Sequence, residues 1–341
     1  MSWESLWYGP RTWRALAAAP LLAPASWLYG AGVALRNATF SAGLRAPVRV
    51  EGATVVSVGN LVVGGAGKTP VTIFLARWAA ACGRKVAVLS RGYGRRSASV
   101  LVFTADALPP LSEAGDEPRL IARRCPGVEV CVGPRRASLA LDARERGRDF
   151  LLLDDGFQHR QLHRDVDLVV WSPPGNGHRL PWGPLREPLS ALARASLVWT
   201  SDDAPELDKP IVRARSRLSS LIDRHGVHQP IASLRGRPVV LLLGIARPER
   251  VVRSVEAAGA RVVAVHAHAD HREFSPADVD AARAAASASG ALLVTTEKDL
   301  ERLPADVEAV APRLELEVLD GLDALAHALG LDEALVPPTG G

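Results

Sequence analysis

Short apolar runs recur along the chain, with room for about one helix between successive runs. The first, residues 53–60 (ATVVSVGN), ends in a glycine-rich turn, and a helical pattern follows over residues 70–81. Runs at 85–90, 100–103, 128–132, 150–153 and 166–171 predict strands, while residues 117–124 and 135–146 predict intervening helices. Continuous apolar runs suit strands buried on both faces, so the alternation implies a parallel sheet covered by helices on either side. The rhythm lapses over residues 204–237, where arginines, serines, Pro210 and Pro230 predict linker strands and a hinge. It resumes with strands at 239–243, 261–266 and 291–295 and helices at 248–258 and 276–289. The expected fold class is α/β: an α/β/α domain with a parallel sheet over residues 46–203, a linker over 204–237, a second, smaller α/β domain over 238–330, and a tail over 331–341.

The N-terminal 45 residues follow neither period. Residues 15–35 carry no charge, are flanked by Arg11, Arg14 and Arg36, and are crowded by Trp3, Trp7, Tyr8, Trp13, Trp27 and Tyr29. The length suits a membrane span, yet Pro20 and Pro24 remove helical hydrogen bonds and the aromatic residues favour the membrane interface. The expectation is therefore an N-terminal membrane-associated helical segment lying at the surface. A cleaved signal peptide is the rival, opposed by Glu4 and by the lack of lysine or arginine in the first ten residues. A helical hairpin packed on the core is the other alternative.

With 341 residues, 48% hydrophobic and 23% charged, the chain has the balance of a folded protein with room for two domains. Its formal net charge of +4, mostly from arginine, suits phosphate-bearing ligands without requiring nucleic acid. Cys82, Cys125 and Cys131 form no C-x-x-C pair and read as buried thiols. His266, His268 and His271 alternate in a short stretch with Asp270, but the spacing defines no zinc triad.

The strongest local motif is Gly64-Gly65-Ala66-Gly67-Lys68-Thr69, directly after a predicted strand and before a predicted helix. That is a P-loop: glycines let backbone N–H groups close around phosphate oxygens, Lys68 reaches the β- and γ-phosphates, and Thr69 can hold Mg²⁺. Val62 stands where the general motif has its first glycine. Asp154 and Asp155 end an apolar strand, as expected on the Mg²⁺ side of such a domain, and also as simple turn formers. Asp116 and Glu117 precede Pro118, which reads equally as a helix cap and as an acid placed for catalysis.

Taken in order, Ser57-Val58-Gly59-Asn60, the GGAGKTP loop, Ser90-Arg91-Gly92-Tyr93-Gly94, Gly115-Asp116-Glu117-Pro118, Asp154-Asp155-Gly156-Phe157-Gln158-His159, Pro184-Leu185-Arg186-Glu187-Pro188, Asp270-His271 and Thr296-Glu297-Lys298-Asp299 resemble the lipid A 4'-kinase family. The resemblance extends over roughly residues 1–300 and includes Ser26-Trp27-Leu28-Tyr29-Gly30. Members of that family also carry a non-glycine residue at the place of Val62. The resemblance implies transfer of the ATP γ-phosphoryl group to the 4'-hydroxyl of a tetraacylated glucosamine disaccharide 1-phosphate, giving lipid IV-A, at the cytoplasmic face of a bacterial inner membrane. It implies ATP and Mg²⁺ as cofactors, bound through residues 62–69 (Val62, Val63, Gly64, Gly65, Ala66, Gly67, Lys68 and Thr69). It further implies Asp116 as general base with His271 as its partner, Lys68 in catalysis, Thr69, Asp154, Asp155 and Glu187 on the metal side, and Arg91, Arg135, Arg186 and Gln158 as substrate or phosphate contacts. At Gly133-Pro134-Arg135-Arg136 a one-residue shift to Arg136 stays open.

Two other functions share parts of this pattern. A membrane ATPase switch would use the same GG-x-GKT, but such proteins carry a lysine where Val63 stands. A soluble kinase for a small sugar or nucleoside would use the same P-loop and acid, and the apolar N-terminal segment opposes it.

Overall fold

In the computed structural model, which describes residues 3–9, 13–201, 207–245, 247–269 and 272–337, the first buried strand, β1 (Thr54–Gly59), sits near the middle of the larger sheet. It runs parallel to β5 (Phe150–Asp154) on one side and β6 (Val166–Val170) on the other, with Ser57 opposite Leu153 and Val58 opposite Asp154. Beyond β5 lie β2 (Val86–Ser90), β4 (Glu129–Val132) and antiparallel β3 (Leu101–Phe103). Beyond β6 lie β7 (Leu197–Thr200), β8 (Ile211–Ile222) and antiparallel β13 (Ala311–Asp320), with β9 (His228–Pro230) also on β8.

Both faces of this sheet are covered, which explains the unbroken apolar runs. Val56, Val58, Val88 and Leu152 point into a core shared with Trp78 of α3 (Lys68–Ala81), Ile121 of α5 (Asp116–Arg124) and Leu325 of α10 (Leu322–Leu329). Val55, Leu89, Leu151 and Leu153 point the other way, onto Leu139 and Ala140 of α6 (Arg136–Glu145). One-turn α4 (Leu111–Ala114) leads into α5 through Gly115, whose φ of 87° is a left-handed value that glycine adopts without a Cβ penalty.

A second sheet has the parallel order β11 (Arg261–Ala267), β10 (Pro238–Leu243), β12 (Leu292–Val294). Helices α7 (Pro248–Ala257) and α8 (Pro276–Ser289) accompany it, the latter started by a capping box between Ser275 and Asp278. One-turn α9 (Glu297–Leu300) follows β12, and β13 then carries the chain back to the larger sheet.

Two expectations differ from this picture. The stretch expected as a linker contains the twelve-residue strand β8, paired along its length with β13. Its inner positions, Val212 and Ala214, are buried, while Arg213, Arg215 and Arg217 alternate outward opposite Asp320, Glu317 and Glu315. The arginines are one face of a half-buried strand, Arg213 and Arg215 pairing with Asp320 and Glu317 across the ladder, while Glu315 opposite Arg217 pairs with Arg77 and Arg124. At the N-terminus, short α1 (Trp3–Tyr8) precedes α2 (Trp13–Ser41), which runs through both Pro20 and Pro24. The prolines stand four residues apart on one exposed side, so water can satisfy the carbonyls they leave unpaired. Among the described residues, no helix is long and apolar enough to cross a membrane.

The buried side of α2 is held by polar contacts. Ser26 Oγ donates to Arg179 O at 2.8 Å, Tyr29 Oη to Arg186 O at 3.1 Å, and Asn37 Nδ2 to Glu187 Oε2 at 2.9 Å. On the opposite side Leu21, Trp27, Leu28 and Leu35 each expose 70% or more of their surface.

Candidate active site

The turn from β1 into α3 is glycine-rich, and inside it Ala66 N–H donates to Gly64 O at 2.9 Å. Gly64 and Gly67 take left-handed φ values of 106° and 79°, and Gly67 caps α3 without any side-chain hydrogen bond. The first N–H groups of α3 therefore form an anion site of the kind helix N-termini supply. Val62 is buried beside Leu61, Phe157 and Leu185 and forms an antiparallel bridge to Leu185. Val63 N–H donates to Pro184 O at 2.8 Å, and Arg186 N–H to Leu61 O at 2.7 Å. The first part of the loop is thus zipped to residues 184–186, and an apolar residue at 62 anchors it where the general motif has glycine. The phosphate-facing amides are left to the later part of the loop.

Lys68 Nζ lies 3.2 Å from Asn60 Oδ1 and 3.5 Å from Asp155 Oδ1. Asp155 meets Arg186 Nη1 at 2.7 Å through its other oxygen, Arg186 reaches Gln158 Oε1 at 3.5 Å, and Gln158 Nε2 donates to Asn60 O at 2.9 Å. These five residues close a ring at the C-terminal ends of β1 and β5, the last link being to the Asn60 backbone carbonyl. Asp155 has a left-handed φ of 57°, which aspartate tolerates better than most residues, and the turn aims its carboxylate at both cations.

The neighbouring carboxylates differ in charge state. Burial raises Asp155, but Lys68 and Arg186 outweigh it and leave the group below the ordinary carboxylate range. Asp154 is pushed up to about 7, first by burial and then by the charges of Glu117 and Asp155, against Lys68 and a hydrogen bond from Ser90. Its donors, Thr72 Oγ1 and Ser90 Oγ, both stand at 3.4 Å. A buried acid that repels its neighbours and holds only long hydrogen bonds suits a cation. Among the described residues no three His, Cys, Asp or Glu side chains cluster as a full metal cage.

The arginines separate. Arg91 and Arg135 are exposed, Arg135 preceding α6, whereas the next residue, Arg136, is buried. The Arg136 guanidinium is held below its ordinary range by burial and then by Arg91, against the pull of Asp155 and Asp154, and its Nε has no hydrogen-bond partner. A buried, unsatisfied guanidinium between a cation and two acids is suited to an anionic ligand.

Glu187, expected on the metal side, is fully buried and enclosed by other groups: Arg194 Nη2 at 2.8 Å, Asn37 at 2.9 Å and Arg36 Nη2 at 3.6 Å. Its Oε2 is held by Arg194 and Asn37, which ties α2 to the segment bearing Arg186, while its buried Oε1 has no hydrogen-bond partner. Sequence offered no signal for this pairing, since Arg36 and Asn37 lie about 150 residues away.

Asp116 opens α5, with Glu117 beside it in the first turn, where negative charge complements the helix dipole. It is the first helical residue and not its cap, which is Gly115. Asp116 Oδ1 accepts the Glu117 N–H at 2.9 Å, and its other oxygen contacts Arg302 and lies 3.6 Å from Lys298 Nζ. His271 lies outside the described residues, as does Asp270.

Comparison with known proteins gives one consistent result. The family model described as LpxK, tetraacyldisaccharide-1-P 4'-kinase, matches residues 18–329. A tetraacyldisaccharide 4'-kinase of Anaeromyxobacter sp. (strain K) is 46% identical, the alignment covering 98% of this chain and 96% of the relative. One from Geobacter sulfurreducens is 39% identical over 89% of this chain and 91% of its own length. Among solved structures, the "apo" form of LpxK from Aquifex aeolicus in complex with ATP superposes with a TM-score of 0.77 at 27% identity, covering 92% of this chain and 98% of that one.

Proposed function

The chain belongs to the tetraacyldisaccharide-1-P 4'-kinase family, and from that premise we propose that it moves the γ-phosphoryl group of ATP, with Mg²⁺, to the 4'-hydroxyl of a tetraacylated glucosamine disaccharide 1-phosphate. The product would be lipid IV-A, a precursor of lipid A. The observation that carries the chemical reading is the glycine-started N-terminus of α3, whose Lys68 and Thr72 meet Asp155 and Asp154 at the end of the neighbouring strand β5.

Phosphoryl transfer asks the protein mainly for positioning and charge stabilisation. The amides of residues 64–69 would cradle the phosphates, and Lys68, one side-chain reach from Asp155, would neutralise the β- and γ-oxygens. Thr69, Asp154 and Asp155 would hold Mg²⁺, which when bound supplies charge neutralisation for the transferring group. Arg136 is the better-placed phosphate contact of the Arg135–Arg136 pair, because it is buried and faces the acids. Arg186 and Gln158 orient Asp155 and brace the loop, and Arg91 adds charge at the rim. Asp116 would accept the proton of the attacking hydroxyl, with His271 as its proposed partner.

The exposed apolar stripe of α2 supports docking on a membrane surface, where the acylated acceptor resides. The proposed location is the cytoplasmic face of the bacterial inner membrane, the helix lying in the interface.

The test is direct. Purified protein is incubated with γ-labelled ATP, Mg²⁺ and detergent-solubilised disaccharide monophosphate, and label is expected in the lipid. ATP consumption with no label in the lipid would overturn the proposal in favour of an ATPase switch.

A further inference from the structure

The Thr296-Glu297-Lys298-Asp299 sequence, together with Arg302, has no role in the mechanism above, yet it packs against the proposed base. Thr296 starts α9 by capping: its hydroxyl accepts the Asp299 N–H at 3.1 Å and donates to Asp299 Oδ2 at 2.8 Å. The same carboxylate oxygen accepts the Gly244 N–H at 2.9 Å, from the end of β10. Asp299 is completely buried, and its remaining oxygen faces Arg302 Nη1 at 3.2 Å. Arg302 Nη1 also reaches Gly244 O at 3.3 Å, while Nη2 contacts Asp116.

Each link removes a degree of freedom from the next. Two backbone-anchored donors hold Asp299, and Asp299 with Gly244 O holds one side of the guanidinium. A planar guanidinium fixed on one side can present its other nitrogen in only one direction. That direction is the carboxylate of Asp116, on an element almost two hundred residues away. The side chains of Arg302 and Asp116 are only 5% and 6% exposed, so solvent does little to screen the pair. Lys298, 3.6 Å from the same oxygen, adds a second cation, leaving Oδ1 as the oxygen on the Glu117 side.

We propose that Arg302 is a positioning residue for phosphoryl transfer: braced by Asp299 and Gly244, it fixes the rotamer and ionised form of Asp116 so that one carboxylate oxygen stays directed at the acceptor hydroxyl. This rests on the reading of Asp116 as the proton acceptor. Arg302 touches neither phosphate nor sugar in this role, and the second sheet thereby contributes to catalysis through α9 and not only by covering the site. The same geometry predicts that lysine is not equivalent at 302. An ammonium can pair with Asp116 but cannot keep a planar fork on Asp299 and Gly244 O at the same time.

Four variants decide it: Arg302→Gln, Arg302→Lys, Asp116→Asn and the double Asp116→Asn/Arg302→Gln, each assayed for kcat and KM with detergent-solubilised lipid acceptor and for the Kd of ATP. Arg302→Gln is expected to lower kcat by about 10- to 100-fold, a part of the ~10²–10⁴ that a positioned base contributes. The Kd of ATP and the KM for lipid should stay within about twofold, and Arg302→Lys should recover part of the lost kcat. The double variant should be no slower than Asp116→Asn alone, because the residue being positioned is already gone. If Arg302→Gln does not fold, the double variant, which removes both charges of the pair, keeps the comparison with Asp116→Asn. A kcat for Arg302→Gln within twofold of wild type overturns the proposal, as does an equal further loss on the Asp116→Asn background. A wild-type rate in Asp116→Asn overturns instead the reading of Asp116 as base, so the two failures are separate.

Discussion

Asp154 is the residue at which the site's charge arrangement is measurable as stability. Burial, Glu117 and Asp155 together push its carboxyl up to about 7 from an ordinary 3.8. The sign follows from proton counting. Between those two values the folded protein holds a proton that the unfolded chain has released, so stability falls as pH rises through that window and levels off above it. At 1.36 kcal/mol per pH unit the full penalty is about 4 kcal/mol, of which about 3 kcal/mol accrues between pH 5 and pH 8.5. Asp154→Asn keeps the shape and removes the titration, so its stability relative to wild type should climb by that amount over the same interval. For 341 residues, an unfolding entropy of about 2.1 cal/mol/K per residue makes about 3 kcal/mol equal to about 4 °C in Tm. Scanning fluorimetry in Mg²⁺-free, nucleotide-free buffer at pH 5 and pH 8.5 reads this directly. The variant should gain about 4 °C on wild type between the two pH values, and lipid phosphorylation should fall by at least ~100-fold because a metal-side acid is lost. Parallel Tm profiles for the two proteins would refute the assignment of Asp154 as a buried acid strained by its neighbours.

Lys68→Ala should lower kcat by at least ~100-fold with little change in Tm, since Lys68 serves phosphate charge and not the core; normal turnover would remove the P-loop from the mechanism. Arg136→Ala should weaken ATP or slow transfer by about tenfold or more while Arg135→Ala stays within about twofold, checked by steady-state kinetics; the reverse order would move the contact to the exposed residue. Glu187→Gln should destabilise the protein by about 1–3 kcal/mol, because Arg194 and Asn37 lose a charged hydrogen-bond acceptor while the exposed Arg36 is screened by solvent; denaturant unfolding measures this. Replacing Trp27 and Leu28 together by serine should reduce co-sedimentation with anionic vesicles severalfold at unchanged Tm, since both side chains are exposed; unchanged binding would assign membrane affinity elsewhere.

Local pattern sufficed wherever one physical cause dominated. The runs that became β1, β2, β4, β5 and β6 are apolar because both sheet faces are covered, and that leaves a mark at each position. The glycine turn before Lys68 was legible because left-handed φ values at Gly64 and Gly67 demand glycine. Residues 204–237 read as linker strands, and that β8 belongs to the larger sheet is not legible there, because its outer face is arginine and its partner strand β13 lies about a hundred residues later. Helix α2 shows the opposite error of weighting: two prolines suggest an interruption, yet both face solvent, where lost hydrogen bonds are cheap. Val62 departs from the general motif because its neighbour in space is Leu185, and no spacing rule reports that. Arg302 lay outside every motif, and its contact with Asp116 arises only from the packing of α5 against α9.

The segment from Arg179 to Glu187 joins two parts of the function that the sequence keeps separate. Its backbone is zipped to the phosphate loop through Leu61 and Val63, and its Arg186 side chain holds Asp155. The same segment accepts hydrogen bonds from Ser26 and Tyr29 of α2 and, through Glu187, from Asn37. Helix α2 therefore presents its apolar stripe on one side and grips the phosphate loop's brace on the other. The two sides are one helix diameter apart, about 10–12 Å. The headgroup layer of one leaflet is about 5–7 Å deep, half the difference between the full bilayer and its hydrocarbon core. With the stripe in the interface, the brace comes to lie close to headgroup level, where the sugar of an acylated disaccharide resides. On the proposed membrane docking, an acceptor anchored by its acyl chains would need little lifting to reach the γ-phosphate, the contacts from α2 through residues 179–187 to the phosphate loop keeping that distance fixed.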